Sequence, residues 1–330
     1  MSDDLLEGST GYRDAPPRMG FFTDTSVCIG CKACEVACKE WNAIPDDGLS
    51  LLGMSYDNTG MLGADTWRHV AFIEQDKPLG RQNNAVAAMP AGPTATHHDA
   101  DVVAAGLGER HGAGLGTDTG GTRPSAQPLD VLGAPVSPDG RKELRWLMAS
   151  DVCKHCTHAA CLDVCPTGSL MRTEFGTVIV QEDICNGCGY CVPACPYGVI
   201  DQRKDDGRVW KCTLCYDRLG AGQEPACAKA CPTDSIQYGP LDELRERAAQ
   251  RVGNLHDAGV SEARLYGADP GDGVGGAGAF FLLLDEPEVY GFPPDPVVTT
   301  RDLPRMWKHT ALAAAGVAVA AVAAFVGSRR

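Results

Sequence analysis

The sixteen cysteines of this 330-residue chain fall into four quartets with none left over, and no other feature restricts the fold as tightly. Cys28, Cys31, Cys34 and Cys38 follow the spacing C-x2-C-x2-C-x3-C, and Cys185, Cys188, Cys191 and Cys195 repeat it. Cys153, Cys156, Cys161 and Cys165 widen the middle gap to four residues, and Cys212, Cys215, Cys227 and Cys231 widen it to eleven. The last three quartets end in Cys-Pro, whereas Lys39 stands in place of that proline in the first.

Three thiolates two residues apart curl the backbone around one iron–sulfur cubane, each reaching a different iron. The fourth cysteine leaves on a short helix and points away, as in two-cluster ferredoxins, where it ligates the neighbouring cluster. Proline after it fixes the exit of the chain. Eight disulfides would need wider and less regular spacing than C-x2-C-x2-C permits. Zinc favours separated C-x2-C pairs, as in the fourth quartet alone, and suits the crowded loops of the first and third poorly. His155 and His158 lie inside the second quartet and open a His-ligated or [3Fe–4S] variant; with all four cysteines present they read as outer or exposed groups. The spacing therefore predicts an electron-transfer protein with four [4Fe–4S] clusters as cofactors.

The formal charge of −14 argues against nucleic acid and against a polybasic membrane-surface patch. With 39 Gly, 22 Pro and only 6% aromatic residues, much of the chain must be loop, and metal–ligand bonds would replace part of a conventional core. Met1 to Gly20 is acidic and lacks an apolar stretch, so no secretory signal is expected there. Around the third quartet, Gly176–Gln181 reads as a strand, followed by the cysteine loop and a short helix after Cys195. That is half of a ferredoxin-like unit, and four halves make two two-cluster modules: an α+β fold with a C-terminal single transmembrane helix.

Residues 80–140, rich in Gly, Ala, Pro and Thr and containing His97, His98 and His111, read as a surface insertion, possible disorder included. A histidine metal site there competes with a solvated loop. Leu241, Leu244, Ala248 and Val252 share one face of a helix that begins at Pro240. Gly271, Gly273 and Gly276 spell G-x-G-x-x-G, but an apolar strand, Ala279–Leu284, follows where a dinucleotide site needs a helix; this is a turn-rich loop. Residues 310–327 carry no charge, and 18 residues at 1.5 Å each give about 27 Å, one hydrocarbon thickness. The small Ala and Gly side chains suit close approach of a partner helix. Arg329 and Arg330 favour a cytoplasmic C-terminus, although Arg301, Arg305 and Lys308 blur the bias.

The stretches Cys28–Asn42, Cys185–Cys191, Arg208–Arg218 and Gly222–Cys227 together resemble the iron–sulfur (beta) subunit of bacterial membrane-bound respiratory formate dehydrogenases. Ala249–Val252, Gly273–Gly276 and the C-terminal span extend the resemblance, which covers most of 20–80 and 145–330. The resemblance implies that the quartets pair first with fourth and second with third. One cluster would then use Cys28, Cys31, Cys34 and Cys231, and its neighbour Cys212, Cys215, Cys227 and Cys38. The other module would hold Cys185, Cys188, Cys191 and Cys165 beside Cys153, Cys156, Cys161 and Cys195.

In this division residues 1–20 form an N-terminal arm, 21–79 and 206–240 the two halves of module 1, and 141–205 module 2. Residues 241–300 are a helix/strand extension and 309–327 the transmembrane helix. The resemblance also implies that this chain has no catalytic site of its own and serves a molybdopterin-containing catalytic (alpha) subunit, with molybdenum or tungsten, and a membrane cytochrome b (gamma) subunit that reduces quinone. The cluster domain is expected on the outer face, carried there with a signal-bearing catalytic subunit. A related molybdopterin oxidoreductase or a hydrogenase would use an equivalent subunit. Lys39, Lys154 and Lys211 adjoin cysteines and could raise cluster potentials, with ordinary surface lysines the equal alternative.

Overall fold

The computed structural model describes Tyr12 and residues 15–46, 56–57, 59–75 and 145–327. The 80–140 segment, with His97, His98 and His111, lies outside the described residues. The elements in chain order are β1 (Met19–Asp24), α1 (Ala33–Trp41), β2 (Arg68–Gln75), β3 (Arg145–Val152), α2 (Ala160–Asp163), β4 (Leu170–Arg172) and β5 (Val178–Val180). They continue with α3 (Cys191–Ala194), β6 (Asp201–Gln202), β7 (Val209–Trp210), α4 (Tyr216–Gly220), α5 (Ala226–Lys229), β8 (Ile236–Pro240), α6 (Leu241–Asp257), β9 (Arg264–Tyr266), β10 (Ala279–Leu283) and α7 (Leu303–Gly327).

One four-stranded sheet, in the order β8-β1-β10-β9, carries the main core. β1 lies antiparallel to β8 and parallel to β10. Its consecutive Phe21 and Phe22 are both fully buried, and all five residues of β10 are buried. A strand with neighbours on both edges and cover on both faces reads as a continuous apolar run, which is what these two segments are. Residues 241–300 thus supply two strands to the sheet that the N-terminal strand enters. The helix expected from Pro240 forms as α6; it buries Leu241, Leu244, Ala248, Arg251 and Leu255 against the sheet, with Val252 half-buried beside them. Arg251 on this apolar face is neutralised by Asp24 of β1 at 2.9 Å.

β2 and β3 form a second, two-stranded antiparallel sheet, registered from Arg68 opposite Val152 to Gln75 opposite Arg145. It joins residues that the sequence separates by the long insertion. The hairpins β4–β5 and β6–β7 are short and frame the second and third quartets. A smaller buried group, including Leu170, Val178, Ile200 and Val209, lies among them.

The helix expected after Cys195 is not there. In the third quartet the helix is α3, which ends at Ala194, and Cys195 is already extended at φ −76°, ψ 116°. The x3 gap is one helical turn, so the turn spans from the third cysteine to the fourth. Pro196 then excludes the helical region at the residue before it. The other two Cys-Pro quartets behave alike, with the four-residue helices α2 and α5 ending before Cys165 and Cys231. In the first quartet Lys39 replaces the proline, and α1 runs on past Cys38 to Trp41, nine residues in all.

The G-x-G-x-x-G segment is a loop, as its context suggested. The glycines serve close approach: a Cβ on Gly273 would lie 2.2 Å from the Pro296 carbonyl oxygen, and one on Gly275 2.4 Å from the His158 ring. The loop binds the second quartet through Thr157 N–H to Gly276 O (3.0 Å) and His158 N–H to Val274 O (2.8 Å). α7 is long and apolar enough to cross a membrane over Arg305–Gly327, and its candidate span buries nothing against the other described residues.

Candidate metal centres

None of the sixteen cysteines is bridged in a disulfide. They gather into sets that cross the quartets. Cys28, Cys31 and Cys34 line one cavity together with Cys231, beside Val70, Ser150 and Ser235. Cys153, Cys156 and Cys161 line a second with Cys195. Cys185, Cys188 and Cys191 line a third with Cys165. The remaining four also meet: Asn42 Nδ2 lies 3.8 Å from Cys38 Sγ and 3.9 Å from Cys215 Sγ, and Cys38 is pushed up by burial and then by Cys212 and Cys227. Contact between α1 and α5 brings Cys38 to this set. We label the sets A (Cys28, Cys31, Cys34, Cys231), B (Cys38, Cys212, Cys215, Cys227), C (Cys153, Cys156, Cys161, Cys195) and D (Cys165, Cys185, Cys188, Cys191).

Burial dominates the electrostatics of the thiols. It pushes Cys28 and Cys34 up to about 11, and Cys161 and Cys212 up to about 12. At Cys165 burial is still the largest single influence and raises the thiol, but hydrogen bonds from Ser169, the Leu170 amide and Thr167 together outweigh it and bring the thiol down to about 7. Cages of mutually repelling, desolvated thiolates need cationic charge at their centres. Among the described residues no three His, Cys, Asp or Glu side chains converge on a point for one metal ion. The thiols of sets A, C and D instead surround cavities, as a four-iron cubane requires and a tetrahedral zinc ion does not. Three buried donors that meet no oxygen or nitrogen acceptor among the described residues belong to the same surroundings: His155 Nε2 beside set C, and Arg68 Nε and Nη2 beside sets A and B. Sulfur of a bound cubane is the acceptor such donors lack, so the residues fit the group.

Several of these surroundings were silent in the sequence. Arg172 donates to the carbonyls of Cys156 (3.0 Å), Thr157 (2.7 Å) and Gly176 (2.9 Å), and Arg18 donates to His155 O (2.8 Å) and Thr157 Oγ1 (2.6 Å). Two guanidinium groups therefore hold the set C loop in shape. His155 is buried and accepts from the Val178 amide on Nδ1 at 3.1 Å, so its proton sits on Nε2. Burial and then Lys211 keep it neutral. His158 is half-buried at the glycine loop.

Of the three flanking lysines, Lys154 and Lys211 are fully buried and line the set C cavity, while Lys39 lies half-buried on α1. Lys211 Nζ donates to Val178 O and Cys212 O, and Lys154 Nζ to Asp151 Oδ1 and Val152 O. Lys154 also sits over the rings of Phe292 (4.5 Å) and Phe281 (4.8 Å).

Interlocked thiol cages around cavities, on a loop-rich scaffold of short hairpins and helical turns, define a ferredoxin-type iron–sulfur electron carrier. Residues 144–241 match the 4Fe-4S dicluster domain family, and residues 25–41 match the 4Fe-4S binding domain family. The chain is 34% identical over 321 residues to the Escherichia coli (strain K12) formate dehydrogenase, nitrate-inducible, iron-sulfur subunit, covering 96% of this chain and 84% of that one. It is 34% identical over 324 residues to the Haemophilus influenzae formate dehydrogenase iron-sulfur subunit, covering 95% and 82%. The B subunit of the E. coli anaerobic dimethyl sulfoxide reductase matches at 29% over 228 residues, covering 69% and 76%. The chain belongs to the family of formate dehydrogenase iron–sulfur subunits, and it is an electron-transfer subunit.

Proposed function

We propose that sets A, B, C and D each hold one [4Fe–4S] cluster, and that the chain carries electrons singly along them between a formate-oxidising subunit and the membrane. The crossing of quartets at every cavity is the observation that carries this reading. A and B form one ferredoxin-like module from residues 21–79 and 206–240; C and D form the other from residues 141–205. Within each module, every cluster takes three thiolates from one loop and one from its neighbour's loop.

The thiols also support an order. Burial raises Cys34 of A foremost, with Cys227 of B adding to it. Cys212 of B is raised by burial and then by Cys153 of C, and Cys161 of C by burial with a contribution from Cys191 of D. Neighbourhood therefore runs A–B–C–D, with exposed Cys31 at one end and exposed Cys188 at the other. A cluster reachable from outside at each end, with two enclosed ones between, suits a relay between two partners.

Those partners are a molybdopterin catalytic subunit, holding molybdenum or tungsten, and a membrane cytochrome b that passes electrons to quinone. α7 spans the bilayer once through about residues 309–327, against a partner helix, with its C-terminus cytoplasmic and the clusters on the outer face. Formate added to the anaerobically isolated complex should generate the paramagnetic resonance signals of reduced clusters. Reduction by dithionite but never by formate would remove the substrate and leave the relay standing.

A further inference from the structure

Arg68 is an unusual residue for the first position of a buried strand. It is 2% exposed, no carboxylate contact among the described residues neutralises it, its Nε and Nη2 meet no oxygen or nitrogen acceptor there, and its side chain donates a hydrogen bond to Cys227 of set B. Its Nη1 donates to Ser150 O (3.2 Å) and Ser150 Oγ (3.0 Å), and its guanidinium lies 5.0 Å from the centre of the Phe21 ring. Ser150 Oγ in turn lies 3.2 Å from Cys34 Sγ. Arginine can only donate, so the Ser150 oxygen accepts from Arg68 and its single proton is free for the cysteine sulfur.

The hairpin enforces this arrangement. Arg68 pairs with Val152 and Val70 with Ser150, so Arg68 and Ser150 are diagonal neighbours on one face of β2–β3. That face also presents Val70 and Ser150 to the set A cavity. The charge reaches further than the hydrogen bond: after the burial penalty, Arg68 interacts most with Cys227 of set B, then with Cys34, Cys212 and Cys38.

We propose that Arg68 and Ser150 form a potential-setting pair between clusters A and B: Arg68 orients the Ser150 hydroxyl onto Cys34 and places one fixed positive charge against the thiolates of both clusters. Each one-electron reduction adds a negative charge, which a buried cation and a hydrogen bond to sulfur both favour. The pair therefore raises the potentials of A and B and holds them above what their desolvated thiolates would give. A buried cation that no carboxylate balances costs stability in the iron-free chain, and anionic clusters on either side are what offset it. This inference rests on the proposed cluster assignment and adds to it a role for two residues that ligate nothing.

The test is a potentiometric titration of the intact complex, followed by paramagnetic resonance, with iron and labile sulfide measured on each preparation. Ser150→Ala should lower the potential of one cluster only. Arg68→Met should lower two, by about tenfold in the reduction equilibrium, or about 59 mV for one electron, and leave the other two in place. Arg68→Lys keeps the charge but not the fork, so it should restore the second cluster more fully than the first. Unchanged potentials in Arg68→Met and Ser150→Ala at full cluster content would overturn the proposal. If Arg68→Met loses iron, Ser150→Ala decides alone: a shift confined to one cluster supports the pair, and none refutes it. Wild-type protein lacking labile sulfide would instead defeat the cluster assignment itself.

Discussion

Cys231 and Cys28 are two hundred residues apart in the sequence and line the same cavity. If they share a cluster, Cys231→Ala and Cys28→Ala should each abolish the same resonance signal and about one quarter of the iron. Cys38→Ala should instead match Cys212→Ala, although Cys38 belongs to the same sequence motif as Cys28. Spectra that grouped Cys38 with Cys28 would mean four self-contained sites. The metal-bearing residues were the legible part of this sequence, because cysteine spacing is a local property. Arg68, Arg172, Arg18 and Ser150 were not legible, because what singles them out is burial against loops distant in the chain. An arginine opening the run Arg68–Gln75 looks like an ordinary edge charge until the β2–β3 register turns it inward.

Local chemistry also decides how far each element runs. Proline after the last cysteine stops the helix in three quartets, and Lys39 lets α1 continue so that Trp41 Nε1 can donate to Asp217 Oδ2 (2.9 Å) at the start of α4. The helix misplaced after Cys195 follows from reading the cysteine as a beginning, when the residue before a proline is an end. α6 was legible from its apolar spacing, but its docking was not. Arg251 interrupts the apolar face, and its pairing with Asp24, itself 1% exposed, together with its hydrogen bond to Ser26 Oγ (2.9 Å) makes that position tolerable. Removing one partner of a buried ion pair leaves the other uncompensated, so Arg251→Met should destabilise the fold by about 3–5 kcal/mol. Chemical denaturation of the iron-loaded protein would measure this, and a loss below about 1 kcal/mol would show that Asp24 finds another partner.

At the scale of the molecule, the main sheet ties the ends of the cluster region together. β1 from the N-terminal part lies between β8 and β10, so the chain cannot complete its main core before residue 283 is in place. That closure was illegible beforehand because a parallel pairing across more than two hundred residues leaves no local trace. The C-terminal helix needs no such closure, and its length and composition were readable directly. A charge at its centre should weaken insertion by about 2.5–3.5 kcal/mol. Val319→Arg is therefore expected to move the chain from the membrane to the soluble fraction with its cluster signals intact; retention in the membrane would mean that the partner subunits alone anchor it.

The proposed relay and the potential-setting pair both rest on four cubanes in interlocked cages. Iron and acid-labile sulfide measured together on anaerobically purified protein test their presence most directly. Four [4Fe–4S] clusters require about sixteen of each per chain, with zinc negligible. Zinc without labile sulfide, or iron and sulfide at half that value, would contradict it.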